Sequence, residues 1–165
     1  MIAFELAGRV RATSPDVVVS RDEVTAYVQP HELLRAVATF RDDGDLSFDS
    51  LSSLTVVDWP ERTPRFWVAY ELYSMVRRHR LRVKVGLPAE DPRVPSITPM
   101  FPTANWHERE AWDFFGVVFD GHPDLVRILL PDDWDGFPLR KTEELGGVDT
   151  LYHGAFIPPV DRRTT

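Results

Sequence analysis

Phe66-Trp67-Val68-Ala69-Tyr70-Glu71-Leu72 and Leu81-Arg82-Val83-Lys84-Val85-Gly86-Leu87 are the two runs that decide the fold. In the first, Phe66, Val68, Tyr70 and Leu72 share one side. In the second, Leu81, Val83, Val85 and Leu87 share one side and Arg82 and Lys84 take the other. Successive side chains of a strand point to opposite faces, so this alternation gives one buried and one wet face. That is the pattern of an antiparallel sheet, with Met75 to His79 as the hairpin connection.

Working outward, Leu51 to Asp58 carries Leu54, Val56 and Val57 and reads as a third strand, stopped by Trp59-Pro60 because proline cannot continue a ladder. Upstream, Val24, Ala26 and Val28 alternate with Thr25 and Tyr27 as a further strand. Pro30 suits a first helical position. Leu33, Leu34, Val37 and Phe40 then recur at helical spacing until Asp42-Asp43-Gly44 ends the helix. Downstream, five prolines (88, 92, 95, 99, 102) exclude a helix or central strand and predict an ordered loop or short edge segment. A helix follows from Asn105 to about Phe115, with Asn105 and Glu108 spaced as a capping box and Gly116 as C-terminal cap. On it, Arg109 with Asp113 and Trp106 with Glu110 are four apart and can meet on one face. Periodicity then fades. The fold class is therefore α+β, a mostly antiparallel sheet with helices packed on one face, followed by an extended irregular C-terminal tail. The division is 1–130 for the domain and 131–165 for the tail. Trp134, Phe137, Leu151, Tyr152, Phe156 and Ile157 make that tail too apolar for simple disorder, and a second protein would supply the surface it lacks.

The 165 residues, 43% hydrophobic, suit one domain with a core. There is no cysteine, hence no disulfide framework and no thiolate for zinc or an iron–sulfur cluster. The net charge of -7 argues against nucleic acid, which needs a basic footprint. Six of those seven negative charges lie between Glu108 and Glu144, where ten acids face four bases. No apolar run approaches the roughly 20 residues that span a bilayer. Met1 to Val10 carries Glu5 and lacks a basic start, so no signal peptide is expected and the default compartment is the cytosol.

Chemistry in single residues is sparse. His107, Glu108 and Glu110 lack the i, i+4 spacing of a helical zinc pair. No G-x-S-x-G elbow and no Gly-rich phosphate loop occurs. His122 between Asp120 and Asp124 could serve acid/base work. The competing reading is a structural turn at Gly121-His122-Pro123 with the imidazole on a backbone carbonyl. No catalytic, cofactor-binding or metal residue is assigned.

One stretch carries more. Residues Trp106 to Pro123 read W-x-E-R-E-x-x-D-x-F-G-x-x-F-x-G-H-P, continued by Leu125, Arg127-Ile128-Leu129 and Leu139-Arg140-Lys141. The pattern resembles the 30 kDa subunit family of respiratory complex I, the proton-pumping NADH:quinone oxidoreductase. Leu54 to Trp59 is a fainter match. Val126 and Thr142 depart from the family pattern, which has a basic and an acidic residue there. The resemblance implies a cofactor-free peripheral-arm subunit that supports assembly and electron transfer from NADH to quinone. It implies contact with the large quinone-site subunit and with iron–sulfur subunits, with FMN and the clusters held by those partners. It further implies a peripheral place on the cytoplasmic side of the cell membrane, with no direct membrane insertion. Ferredoxin- and hydrogenase-linked relatives share the pattern and stand as an alternative, beside a free-standing enzyme using His122. Partner-binding residues carried over are Glu108, Arg109, Glu110, Asp113, Phe115, Gly116, Gly121, His122, Pro123, Arg127, Arg140 and Lys141. In that reading the four charges of the helix form a docking network, and Arg127, Arg140 and Lys141 meet carboxylates or carbonyls of the partner.

Overall fold

The computed structural model describes residues 3–143. Its centre is the meander anticipated from the alternating runs. β3 (Ser50–Asp58), β4 (Phe66–Ser74) and β5 (His79–Leu87) are antiparallel neighbours, with Tyr70 opposite both Leu54 and Val83. A bulge between Leu51 and Ser53 restores the inward parity of Leu51 alongside Leu54 and Val56. Four residues, Met75–Arg78, close the β4–β5 hairpin.

Two elements precede what the sequence announced. α1 (Ala3–Val10) buries Leu6, Ala7 and Val10, and β1 (Val17–Ser20) pairs antiparallel with β2 (Glu23–Tyr27). The β1–β2 turn places Arg21 and Asp22 at positive φ (51° and 63°) without the glycine or asparagine that normally flags such a turn. β2 then lies parallel to β5, Ala26 against Val83, which makes the sheet mixed, in the order β1-β2-β5-β4-β3. The link from β2 to β5 runs through α2 and the β3–β4 hairpin. Pro30 opens a 3-10 turn, and α2 (Leu33–Asp42) buries Leu33, Ala36, Val37 and Phe40. Asp43 ends it, accepting from the Asp45 and Leu46 N–H groups at 2.8 and 3.2 Å.

The three helices contribute to one core on the Phe66, Val68, Tyr70, Leu72 side of the sheet. The other side carries Glu71, Arg82 and Glu23, which pair with one another beside an open groove of about 790 Å³. Within the proline-rich stretch, β6 (Arg93–Pro95) is a short edge segment parallel to β7 (Val118–Asp120). Between them α3 (Ala104–Phe115) packs against β3. This helix starts at Ala104, so Asn105 lies inside it and no side chain caps it. The capping box expected of Asn105 and Glu108 is therefore absent, and Glu108 is turned into the core instead.

Candidate docking site

α3 buries Ala104, Glu108 and Ala111, a stripe at i, i+4 and i+7, against the sheet. Asp113 lies off that stripe and is equally buried, because the loop after β7 folds back over it. Its Oδ2 accepts three consecutive backbone N–H groups, from Ile128, Leu129 and Leu130 at 3.1, 2.9 and 3.0 Å. Its Oδ1 accepts from the Arg127 guanidinium at 2.7 Å. Burial alone would raise the carboxyl. The Leu130 and Leu129 N–H groups, Arg127 and the Ile128 N–H outweigh it and hold Asp113 at about 2. Arg127 continues outward to the Trp134 and Gly136 carbonyls at 2.8 and 3.5 Å. One carboxylate thus fixes both the turn at 128–130 and the strap of chain that follows it.

Arg109 lies over the Trp106 ring at 5.1 Å and donates to the Val126 and Arg127 carbonyls at 3.1 and 3.0 Å. Arg140 donates to the Phe115 carbonyl at 2.7 Å and sits over the Phe137 and Phe66 rings. Gly116 has φ 69° and gives its N–H to the Trp112 carbonyl. A Cβ there would stand 2.5 Å from both Phe137 and Arg140. Only glycine leaves room for the returning segment and takes the left-handed backbone without strain.

The strap reaches the far end of β3. Asp58 is buried, accepts two bonds from Arg65 at 2.7 and 2.8 Å, and accepts the Lys141 N–H at 2.8 Å. The Arg65 bond, opposed by burial and helped by the Lys141 N–H, holds Asp58 below the usual carboxylate range. Arg65 also donates to the Thr142 hydroxyl at 3.3 Å.

Glu108 is the second buried carboxyl of α3. It accepts from the Ser96 hydroxyl at 2.6 Å, the Ile97 N–H at 2.9 Å and the Thr98 hydroxyl at 3.2 Å. Burial raises it, against those bonds and His122 at 4.0 Å. The Asp124 N–H donates to His122 Nδ1, so Nε2 carries the proton and gives it to the Asn105 carbonyl at 3.2 Å. Both ring nitrogens are occupied, the side chain is buried, and Asp120 goes to Arg93. The reading of His122 as a free acid/base group gives way to the structural turn, with Gly121 at φ 81° and Pro123 exposed beyond it.

Residues 26–149 match the family model for the respiratory-chain NADH dehydrogenase 30 kDa subunit. The chain belongs to this family. Its counterpart in the NADH-quinone oxidoreductase of Nocardioides sp. is 45% identical over 91% of the chain, and that of Saccharopolyspora erythraea is 49% identical over 89%. The chain spans 60% and 59% of the length of these two relatives. Among solved structures, the trypsin-resistant fragment (1-134) of Nqo5 is 29% identical with a TM-score of 0.67, covering 76% of this chain and all of the fragment. A second, from an archaeal membrane-bound sulfane sulfur reductase, shares the fold at TM-score 0.73 and 23% identity, over 84% of this chain and 83% of that one.

The family signature divides into inward and outward parts. Glu108 and Asp113 are wholly buried, so the helix does not present the four-charge network expected of it. Arg109 meets loop carbonyls rather than Asp113, and Trp106 meets Arg109 rather than Glu110. Arg127 and Arg140 bond within the chain, and Lys141 does so through its backbone. Glu110 is exposed and has no ion pair among the described residues. Sequence reading missed Asp58, Arg65, Ser96 and Thr98 as parts of the same device. Asp58 did carry a signal, since it shares the inward parity of Leu54 and Val56, where a carboxylate must find partners. Of the expected tail, residues 131–143 bond back onto α3, β3 and the segment after β3; Leu151, Tyr152, Phe156 and Ile157 lie outside the described residues.

Proposed function

We propose that this chain is a cofactor-free peripheral-arm subunit of a proton-translocating NADH:quinone oxidoreductase, holding partner subunits in register for electron transfer from NADH to quinone. The observation that carries the reading is the clasped strap on α3. Asp58 and Asp113 each join an arginine to backbone N–H groups of residues 128–141, which fixes an irregular segment that makes no helix or strand of its own. Rigid presentation of a loop is what a docking subunit needs, because ordering at the interface would otherwise lower affinity. The assembly partners are a large quinone-site subunit and iron–sulfur subunits, which hold the clusters and FMN. With no cysteine, this chain offers no thiolate to a cluster. No helix among the described residues is long and apolar enough to cross a membrane, in keeping with a peripheral place on the cytoplasmic side. The relatives' NADH-quinone name favours NADH over ferredoxin or hydrogen as the donor side. Tagging the chain in its native host, solubilising membranes and identifying co-purifying subunits tests this. A cysteine-rich set with a quinone-site subunit is expected; isolation of the chain alone from intact membranes would refute it.

A further inference from the structure

Exposed apolar side chains gather where the strap lies along α3. Trp106 is 61% exposed, Leu129 61%, Leu139 47%, Val126 46% and Trp134 45%. Their contacts string them together. Arg109 joins Trp106 to Val126, Asp113 holds the Leu129 N–H, Arg127 reaches the Trp134 carbonyl, and the Leu139 N–H donates to the Phe114 carbonyl. Trp106, Arg109, Asp113 and Phe114 follow one side of the helix, so the patch is continuous rather than scattered.

The charges around it are one-sided. Glu110, Asp124, Asp132, Asp133, Asp135 and Glu143 are exposed and make no ion pair among the described residues. The cations of the same region point the other way in use. Arg127 neutralises Asp113, while Arg109 and Arg140 are turned onto carbonyls. Lys141 is the exposed cation left to face outward.

We infer that this α3–strap face docks a partner protein surface that is basic and apolar together, arginine- or lysine-rich around a hydrophobic seat. This rests on the docking reading above and reverses the polarity expected from sequence, in which the arginines here were to seek partner carboxylates. Electrostatic complementarity selects the occupant. A second copy of this chain would bring six more carboxylates against six, and like charges facing each other suppress a wrong partner.

The test compares three tagged chains by native co-purification: the parent, Asp132→Lys/Asp133→Lys/Asp135→Lys, and Leu129→Asp. All replaced side chains are exposed, and equal thermal midpoints of the isolated chains will show that folding is intact. Recovery of the partner subunits is expected to fall about tenfold or more in the triple-lysine chain, and to fall in Leu129→Asp as well. If the triple-lysine chain assembles like the parent while Leu129→Asp fails, the face docks but its partner is not basic, and the inference is overturned with the docking reading intact. If both variants assemble like the parent, docking at this face itself is refuted. Self-association of the parent chain, abolished by Leu129→Asp, would name a second copy as the occupant and overturn the inference too.

Discussion

Asp113 and Glu108 sit five residues apart on one helix and respond to burial in opposite ways. Asp113 accepts four donors, one of them charged, and its carboxylate form is favoured. Glu108 accepts from two hydroxyls and one N–H, and burial prevails. Their effects on stability therefore carry opposite signs with pH. A carboxyl held at about 2 instead of 3.8 contributes stability above its unfolded value, and that contribution disappears as pH falls toward 2. It amounts to about 2 kcal/mol, so urea unfolding of the chain will show stability dropping from pH 5 to pH 3, and Asp113→Asn will flatten the drop while lowering stability at pH 7 by about 3 kcal/mol. Asp58 acts with the same sign. Glu108 is raised, so its folded state binds the proton more tightly and stability is lost as pH rises through its folded value. Glu108→Gln removes that loss, so the stability of the variant relative to the parent will grow between pH 4 and pH 7 in the same measurement; a constant difference would refute the raised carboxyl.

At the scale of elements, Gly116 and Asp58 are the two points where the strap is committed. Gly116→Ala puts a methyl into Phe137 and Arg140 and a side chain at positive φ. It will destabilise by about 1–3 kcal/mol, and hydrogen exchange will speed up at residues 137–141 before it does in the sheet. Asp58→Asn will release the Lys141 N–H to faster exchange, with β4 and β5 unaffected. The elements themselves were unequally legible in the sequence. β3 to β5 could be read because each spans nine residues and its core-facing positions are almost all apolar. β1 is four residues long, and its turn uses Arg21 and Asp22 at positive φ, which leaves no glycine or asparagine to read. α1 is eight residues, too short for helical periodicity to accumulate. The parallel β2–β5 pair is set by topology, since alternation along a strand does not say which way its neighbour runs. In the site, the signature named residues that the strap does use. It could not show that Glu108 and Asp113 face inward, because charge at helical spacing looks the same on a wet face and on one covered by a returning loop.

For the whole molecule, the net charge of -7 and the missing cysteines acquire a common meaning. The acids cluster on the face where exposed tryptophans and leucines lie, and the chain brings no thiolate to clusters held elsewhere. Its cations in that region hold the strap together from within. The molecule is in this sense a pre-shaped connector: a sheet and three helices that hold one irregular, acidic and apolar face in place. Native isolation through a tag on this chain, followed by subunit identification and NADH:quinone reductase assay of the same fraction, tests that most directly. A connector of this kind will be found in fixed stoichiometry with a quinone-site subunit and cysteine-rich subunits. Its fraction will reduce quinone with NADH, and will lose both partners and activity when the chain is Leu129→Asp. A chain recovered without redox subunits, or a complex that assembles and turns over unchanged around that variant, would contradict it.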